Sequence, residues 1–134
     1  MKLLPLTDHA AAEDSSTLVL PNDADPLQAA LDGVTRIDLH FPKFTDGRAF
    51  SQAFLLRRRR SFTGEIRATG DVLADQLAQM ERSGFDVAVL RADQDMATAQ
   101  RVLAAYPGRK VGKYQGDAVK VQPHFKDVQE RAAA

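Results

Sequence analysis

The most constraining feature of this chain is a repeated alternation. Short runs of β-forming residues are followed by longer runs with helical spacing, and Gly, Pro or Asp punctuates each switch. Residues 36–41, Arg-Ile-Asp-Leu-His-Phe, alternate polar and apolar side chains as a strand does, and Pro42 breaks the ladder. Residues 85–91, Phe-Asp-Val-Ala-Val-Leu-Arg, are the clearest strand, and residues 17–20 and 65–69 read as two more. Between them the apolar positions fall at helical intervals: Leu27, Ala30 and Leu31 before Gly33; Phe50, Ala53, Phe54 and Leu56 within 47–59; Val72, Leu73, Leu77 and Met80 after Gly70-Asp71. Met96, Ala99, Val102, Leu103 and Tyr106 do the same before Pro107-Gly108. Asp25 with Pro26, Thr45-Asp46, and Asp93 or Asp95 supply helix starts, and Gly84 a helix stop.

Strand and helix in strict alternation predict an α/β fold: a single domain of repeated β-α units around a mainly parallel sheet. Two closures fit the pattern, an open doubly wound sheet or a half-barrel-like one that needs a partner over its exposed edge. The α/β domain is expected over residues 17–122. Residues 1–16 read as a loosely ordered N-terminal arm, and 123–134 as a polar C-terminal tail. Weak strand patterns at 111–114 and 118–121 precede that tail.

At 134 residues, with 44% apolar side chains, the chain is long enough to bury a core without staples. It has no cysteine, which excludes disulfides, CxxC redox pairs, thiolate zinc and cysteine-held iron–sulfur clusters. No apolar run approaches the ~20 residues of a membrane span, and the start, Met1-Lys2-Leu3-Leu4-Pro5, is too short for a secretory leader. A cytoplasmic protein without nucleic-acid or membrane partners is the expectation.

The net charge of zero conceals a segregation. Residues 1–35 carry one base against six acids, and residues 36–67 carry eight bases against three acids. The basic segment contains Arg57, Arg58, Arg59 and Arg60, either the solvated end of a helix, where cations suit the macrodipole, or a docking surface.

Ligands of parallel α/β proteins bind at the carboxyl ends of the strands. The loops expected there, around 21–25, 42–48, 69–71 and 92–95, all carry Asp. Helix capping accounts for Asp25, Asp71 and Asp93 individually. The 42–48 loop is the most unusual. Gly47 at a helix start leaves backbone N–H groups to face an anion, with Lys43 and Arg48 supplying charge. The candidate anion- or ligand-binding set is therefore Lys43, Asp46, Gly47, Arg48, Arg67, Thr69 and Asp71. The alternative for Arg48 is a pairing with Asp46 or a neighbouring loop carboxylate. Arg67 lies in a strand and needs a partner, with Asp38 and Asp71 as candidates. Phe44, in a loop, is a candidate docking aromatic, whereas the spacing of Phe50 and Phe54 places both in the core. His9, His40 and His124 show no ligand spacing, so no metal site is expected. The 21–25 turn lacks the glycines of a dinucleotide fingerprint, and no cofactor is evident.

Residues 41–51, Phe-Pro-Lys-Phe-Thr-Asp-Gly-Arg-Ala-Phe-Ser, then Leu55-Leu56-Arg57, then 64–77, Gly-Glu-Ile-Arg-Ala-Thr-Gly-Asp-Val-Leu-Ala-Asp-Gln-Leu, resemble a bacterial family of unknown function. Its members are described as probable accessory or oxidoreductase proteins of assimilatory sulfite reduction. Gly84-Phe85-Asp86, Leu90-Arg91 and Tyr114-Gln115-Gly116 extend the resemblance, which covers most of residues 18–116. It implies a role beside a sulfite reductase haemoprotein, supporting electron delivery from a ferredoxin-type donor. A homodimer is the separate expectation of the half-barrel closure, which would be functional only with its edge covered. No catalytic residues carry over. Family members often have a cysteine before the glycine matching Gly84, where this chain has Ser83. A redox-linked protein without cysteine or flavin signature is expected to be an accessory, not an independent catalyst.

Overall fold

A computed structural model describes residues 1–10, 15–105, 109–110 and 113–114. Five strands, β1 (Lys2–Pro5), β2 (Thr17–Leu20), β3 (Arg36–Phe41), β4 (Glu65–Gly70) and β5 (Val87–Leu90), form one sheet in the order β1-β5-β4-β3-β2. Every pairing is parallel. Helix α1 (Arg48–Arg58) joins β3 to β4, α2 (Leu77–Ser83) joins β4 to β5, and α3 (Met96–Ala104) follows β5. The fold is the single-domain α/β architecture that the alternation predicts.

The register explains the core. Leu20, Leu39, Ala68, Ala88 and Leu3 lie side by side across the sheet. With Ile37, Phe41, Ile66 and Leu90 they share a face. Against it pack Ala49, Ala53 and Leu56 of α1, Leu77 and Met80 of α2, and Ala99 and Leu103 of α3. Side chains as completely enclosed as Ile37, Leu39 and Ile66 contribute about 2 kcal/mol each. Phe41, Phe50 and Phe85 close one end, with ring centroids 5.0 to 6.5 Å apart.

The three helices thus lie on one face. That is a feature of the half-barrel-like alternative, but β1 lies beyond β5 and not beside β2, so the strand order is not the sequential one of a half-barrel. The step from β1 to β2 runs the opposite way along the sheet. Residues 9 and 10 are tied to the face opposite the helices: Arg36 donates to the Ala10 carbonyl at 2.7 Å, and Arg67 donates to His9 Nδ1 at 3.0 Å.

Three expectations need correction. Residues 2–5 are not loose arm: they pair in parallel with Val87–Leu90, and the Lys2 amide donates to the Asp86 carbonyl at 2.8 Å. The buried β5 needs a neighbour on each side for its backbone groups, and residues 2–5 supply it on the side away from β4. The Met1 amine bonds to Glu81 of α2 at 2.7 Å, which pins this end. The helix expected around 27–31 is a 3-10 turn, Pro26–Gln28, because Ala29 returns to extended backbone. The helix expected from Gly70-Asp71 starts later, as a 3-10 turn, Ala74–Gln76, leading into α2.

Two short strands, β6 (Arg109–Lys110) and β7 (Lys113–Tyr114), pair with each other in antiparallel fashion. The helix stop at 106–108, residues 111–112, the strand expected at 118–121 and the tail at 123–134 lie outside the described residues.

Candidate functional site

All strands of the main sheet are parallel, so the loops after β2, β3, β4 and β5 meet at one edge. Two ion-pair clusters are built there. In the first, Arg48 at the start of α1 grips Asp46 from its Nε and Nη2 at 3.1 and 2.7 Å, and its amide bonds the same carboxylate at 3.1 Å. Asn22, from the loop after β2, adds a bond at 2.7 Å. These donors hold the Asp46 carboxyl well below its ordinary value, Arg48 contributing most, and the same pairing raises Arg48. In the second cluster Arg91, directly after β5, bonds Asp71 through Nη1 and holds both oxygens of Asp93 at 2.6 and 2.7 Å. Arg91 depresses Asp93 to about 2 and, with the Phe44 amide, lowers Asp71.

The second cluster also holds the 42–47 loop. Asp71 accepts the Phe44 amide at 2.8 Å, and Gln76 donates to the Phe44 carbonyl at 2.7 Å. The backbone of Phe44 is therefore clamped on both sides while its ring stands 50% exposed. Gln94 ties the next turn, accepting the Ala74 amide at 3.0 Å.

The structure divides the sequence-derived ligand set. Lys43, Asp46, Gly47, Arg48 and Asp71 share the edge. Arg48 takes the paired alternative, and its own amide is bound to Asp46. A Cβ on Gly47 would meet Phe50 in ordinary contact, at 3.8 Å. Arg67 and Thr69 belong to the sheet face opposite the helices. There Arg67 is bound to Glu65 at 2.9 Å and to His9, not to Asp38 or Asp71. Asp38 is held by Arg36 through two bonds of 2.8 Å. Thr69 lies 3.4 Å from His40 Nδ1. Asp71 does not cap a helix, whereas Asp25 and Asp95 do, accepting the amides of Leu27 and Thr98.

The arginine run also divides. Arg57 turns inward and donates to the carbonyls of Phe62, Gly64 and Gly84 at 2.8 to 3.0 Å and to Asp86 at 2.5 Å. Arg60 donates to the Pro26 carbonyl at 2.8 Å. Arg58 and Arg59 are exposed. Phe54, expected in the core, is 40% exposed, and the Arg58 guanidinium lies 5.4 Å from its ring centre. The buried stripe of α1 runs through Ala49, Gln52, Ala53 and Leu56, which turns Phe54 out. Ser83, in the last turn of α2, donates to the Gln79 carbonyl at 2.9 Å.

A general acid or base at neutral pH needs a pKa brought toward 7. The pairing moves Asp46, Asp71 and Asp93 the other way, so this edge is a platform of ion-paired carboxylates that also carries the exposed Lys43 and Phe44. Among the described residues no three His, Asp or Glu side chains are grouped to hold a metal, and no helix is long and apolar enough to cross a membrane. A groove of about 400 Å3 lies between β1 and α3, lined by Met1, Lys2, Leu3, Gln100, Leu103 and Ala104, none of them in the candidate sets. Neither Arg91 nor Gln76 stood out in the sequence; the signal for Arg91 was its place immediately after the clearest strand.

Residues 17–125 match a family described as "Bacterial protein of unknown function (DUF934)", and the chain belongs to that family. No curated protein and no solved structure matches it.

Proposed function

We propose that this family member is a non-catalytic accessory protein of assimilatory sulfite reduction, acting in the cytoplasm. It binds a sulfite reductase haemoprotein, a ferredoxin-type electron donor, or both. The sulfite-reduction context rests on the resemblance carried by residues 41–51 and 64–77. The observation that carries a binding role is the clamped backbone of Phe44 beneath an exposed ring. An aromatic side chain on a backbone already held in place loses less entropy on docking than one on a free loop.

The anion-binding alternative asks Arg48 for charge that Asp46 already neutralises. The homodimer option has one observation behind it. Strand β2 ends the sheet, pairs only with β3 among the described residues, and leaves Val19 53% exposed.

The test is capture of the purified reductase haemoprotein by the wild type and by Phe44→Ala, together with growth of a deletion strain on sulfate, sulfite and sulfide. Retention of the reductase by the wild type, its loss in Phe44→Ala, and growth on sulfide alone are expected. Normal growth on sulfite with no reductase capture overturns the reading. Thermal stabilisation by sulfite, sulfate or phosphate that disappears in Arg48→Ala restores the anion site. Sedimentation as a monomer at all concentrations removes the dimer.

A further inference from the structure

The two edges of the sheet are guarded unequally. Strand β1 reads Lys-Leu-Leu-Pro, and a charge and a proline are both devices that keep an edge from pairing further. Strand β2, at the other end, reads Thr-Leu-Val-Leu and carries neither. Its neighbour fixes which way its backbone groups point. The Arg36 amide donates to the Ser16 carbonyl at 3.2 Å, so residues 16, 18 and 20 turn their N–H and C=O groups toward β3. Thr17 and Val19 turn theirs outward, where they pair with nothing among the described residues. The Val19 side chain is 53% exposed, whereas Leu18 packs on the core side.

We infer that a second copy of this chain pairs with β2, antiparallel and symmetric about Leu18. Thr17 then faces the partner's Val19, each such pair exchanging its N–H and C=O groups, and Leu18 faces the partner's Leu18. The outward groups select this register. A centre on Val19 would set Thr17 against Pro21, which has no N–H and whose carbonyl already accepts the Ala24 amide at 3.0 Å and Gln52 at 2.8 Å. Charge complementarity selects a second copy over a foreign strand. Helix α1 begins at the edge where the strands end and finishes at the edge where they begin. Gln52 marks its β2 flank, since it donates to the Pro21 and Ala24 carbonyls at 2.8 and 2.9 Å. Arg59 follows Gln52 by about two turns and so lies on the same flank, exposed, where the strands begin. Asp23 is exposed in the loop after β2, and its own chain offers it Arg48, which is already bound to Asp46. Antiparallel pairing sets the start of one β2 beside the end of the other and brings each Arg59 toward the partner's Asp23. The segregation of acids into residues 1–35 and of bases into 36–67 is self-complementary in the same sense. A ladder of four residues a side makes a weak, concentration-dependent dimer. The inference rests on the homodimer option and not on the sulfite-reduction context.

The experiment follows sedimentation of the full chain from about 10 μM to 1 mM, with amide hydrogen exchange at both ends of that range. The dimer fraction should rise with concentration. Exchange at Thr17 and Val19 should slow with it, while Leu18 and Leu20, turned toward β3, stay unchanged. Val19→Pro should give a monomer with the fold kept, because the N–H it removes points outward. Val19→Lys, which leaves the backbone intact, should weaken the dimer about tenfold or more. Asp23→Lys and Arg59→Glu should each weaken it about three- to tenfold, and the double variant should recover most of that loss. Each variant is checked for a native-like spectrum. A monomer at every concentration overturns the inference and the homodimer option with it. A dimer that survives Val19→Pro and Val19→Lys, or that leaves exchange at Thr17 and Val19 unchanged, uses another surface and overturns the inference alone. A double variant no stronger than the single ones overturns the antiparallel register. Reductase capture decides the accessory reading separately from all of these.

Discussion

Arg57 and Gly84 are fitted to each other from both sides. The guanidinium donates to the Gly84 carbonyl at 3.0 Å, and a Cβ on Gly84 would lie 2.6 Å from Arg57 Cγ. Gly84 itself has φ of +115°, where an L side chain is strained, and its amide closes α2 onto the Met80 and Glu81 carbonyls at 3.2 Å. One contact therefore joins the end of α1, the end of α2 and the entry to β5.

Gly84→Ala should cost about 2 to 4 kcal/mol, combining the backbone strain with the clash. Arg57→Ala should cost about 2 to 4 kcal/mol by stripping the Phe62, Gly64 and Gly84 carbonyls of a donor. Arg59→Ala, two residues on, should stay within about 0.5 kcal/mol. Urea denaturation of the three variants checks this, and equal effects at Arg57 and Arg59 would show that the run does not divide.

Asp71 and Gln76 hold the Phe44 peptide units, so the clamp should be visible in exchange kinetics. Asp71→Ala should raise the hydrogen-exchange rate of the Phe44 amide by about tenfold or more, with little change in β3. Asp71→Asn, which keeps one acceptor oxygen, should fall between. An unchanged Phe44 rate in Asp71→Ala would mean that the loop is held by something else.

The sequence showed the elements whose signals are local. Residues 36–41 form a strand with the expected bounds because strict alternation meets a proline. Asp25 and Asp95 cap their turns through amides two and three residues away. The Asp46–Arg48 pair, two residues apart, was legible as an alternative for the same reason. What stayed hidden depends on contacts across the chain. Strand β1 exists because β5, more than 80 residues later, needs an edge. Arg91 meets Asp71 only because β4 and β5 pair and bring their loops together. Phe54 has the spacing of a core residue, and only the actual stripe on α1 decides that it turns outward.

The strand-end carboxylates set the acid behaviour of the platform. Asp93 is depressed from 3.8 to about 2 by Arg91, and Asp71 is lowered by the same guanidinium. A carboxylate with a depressed folded pKa contributes stability that is complete above the unfolded value and is lost as pH falls through the folded one. The Arg91 cluster should therefore survive acidification to pH 4 and open between about 4 and 2. A carboxyl 13C titration should place the Asp93 midpoint near 2. A midpoint at its ordinary value of 3.8 would show that the bidentate pair does not form in solution.

His9 should give the opposite sheet face a separate pH response at milder acidity. Its Nδ1 accepts a bond from Arg67, and burial lowers its pKa below 6.5, with Arg67 and Arg36 acting in the same direction against Asp38 and Glu65. Protonation converts the acceptor nitrogen into a donor facing a guanidinium. A base with a depressed folded pKa contributes fully above its unfolded value and loses that contribution as pH falls through the folded one. Stability should accordingly decline as pH drops below 6.5 and level off below the folded pKa. Exchange at residues 9 and 10 should rise over the same range, because the Arg67 bond helps tie this stretch to the sheet, beside the bond from Arg36 to Ala10. His9→Gln removes the titration and should flatten the profile just below pH 6.5. An identical pH dependence in wild type and His9→Gln would show that the chain crosses this face without help from His9.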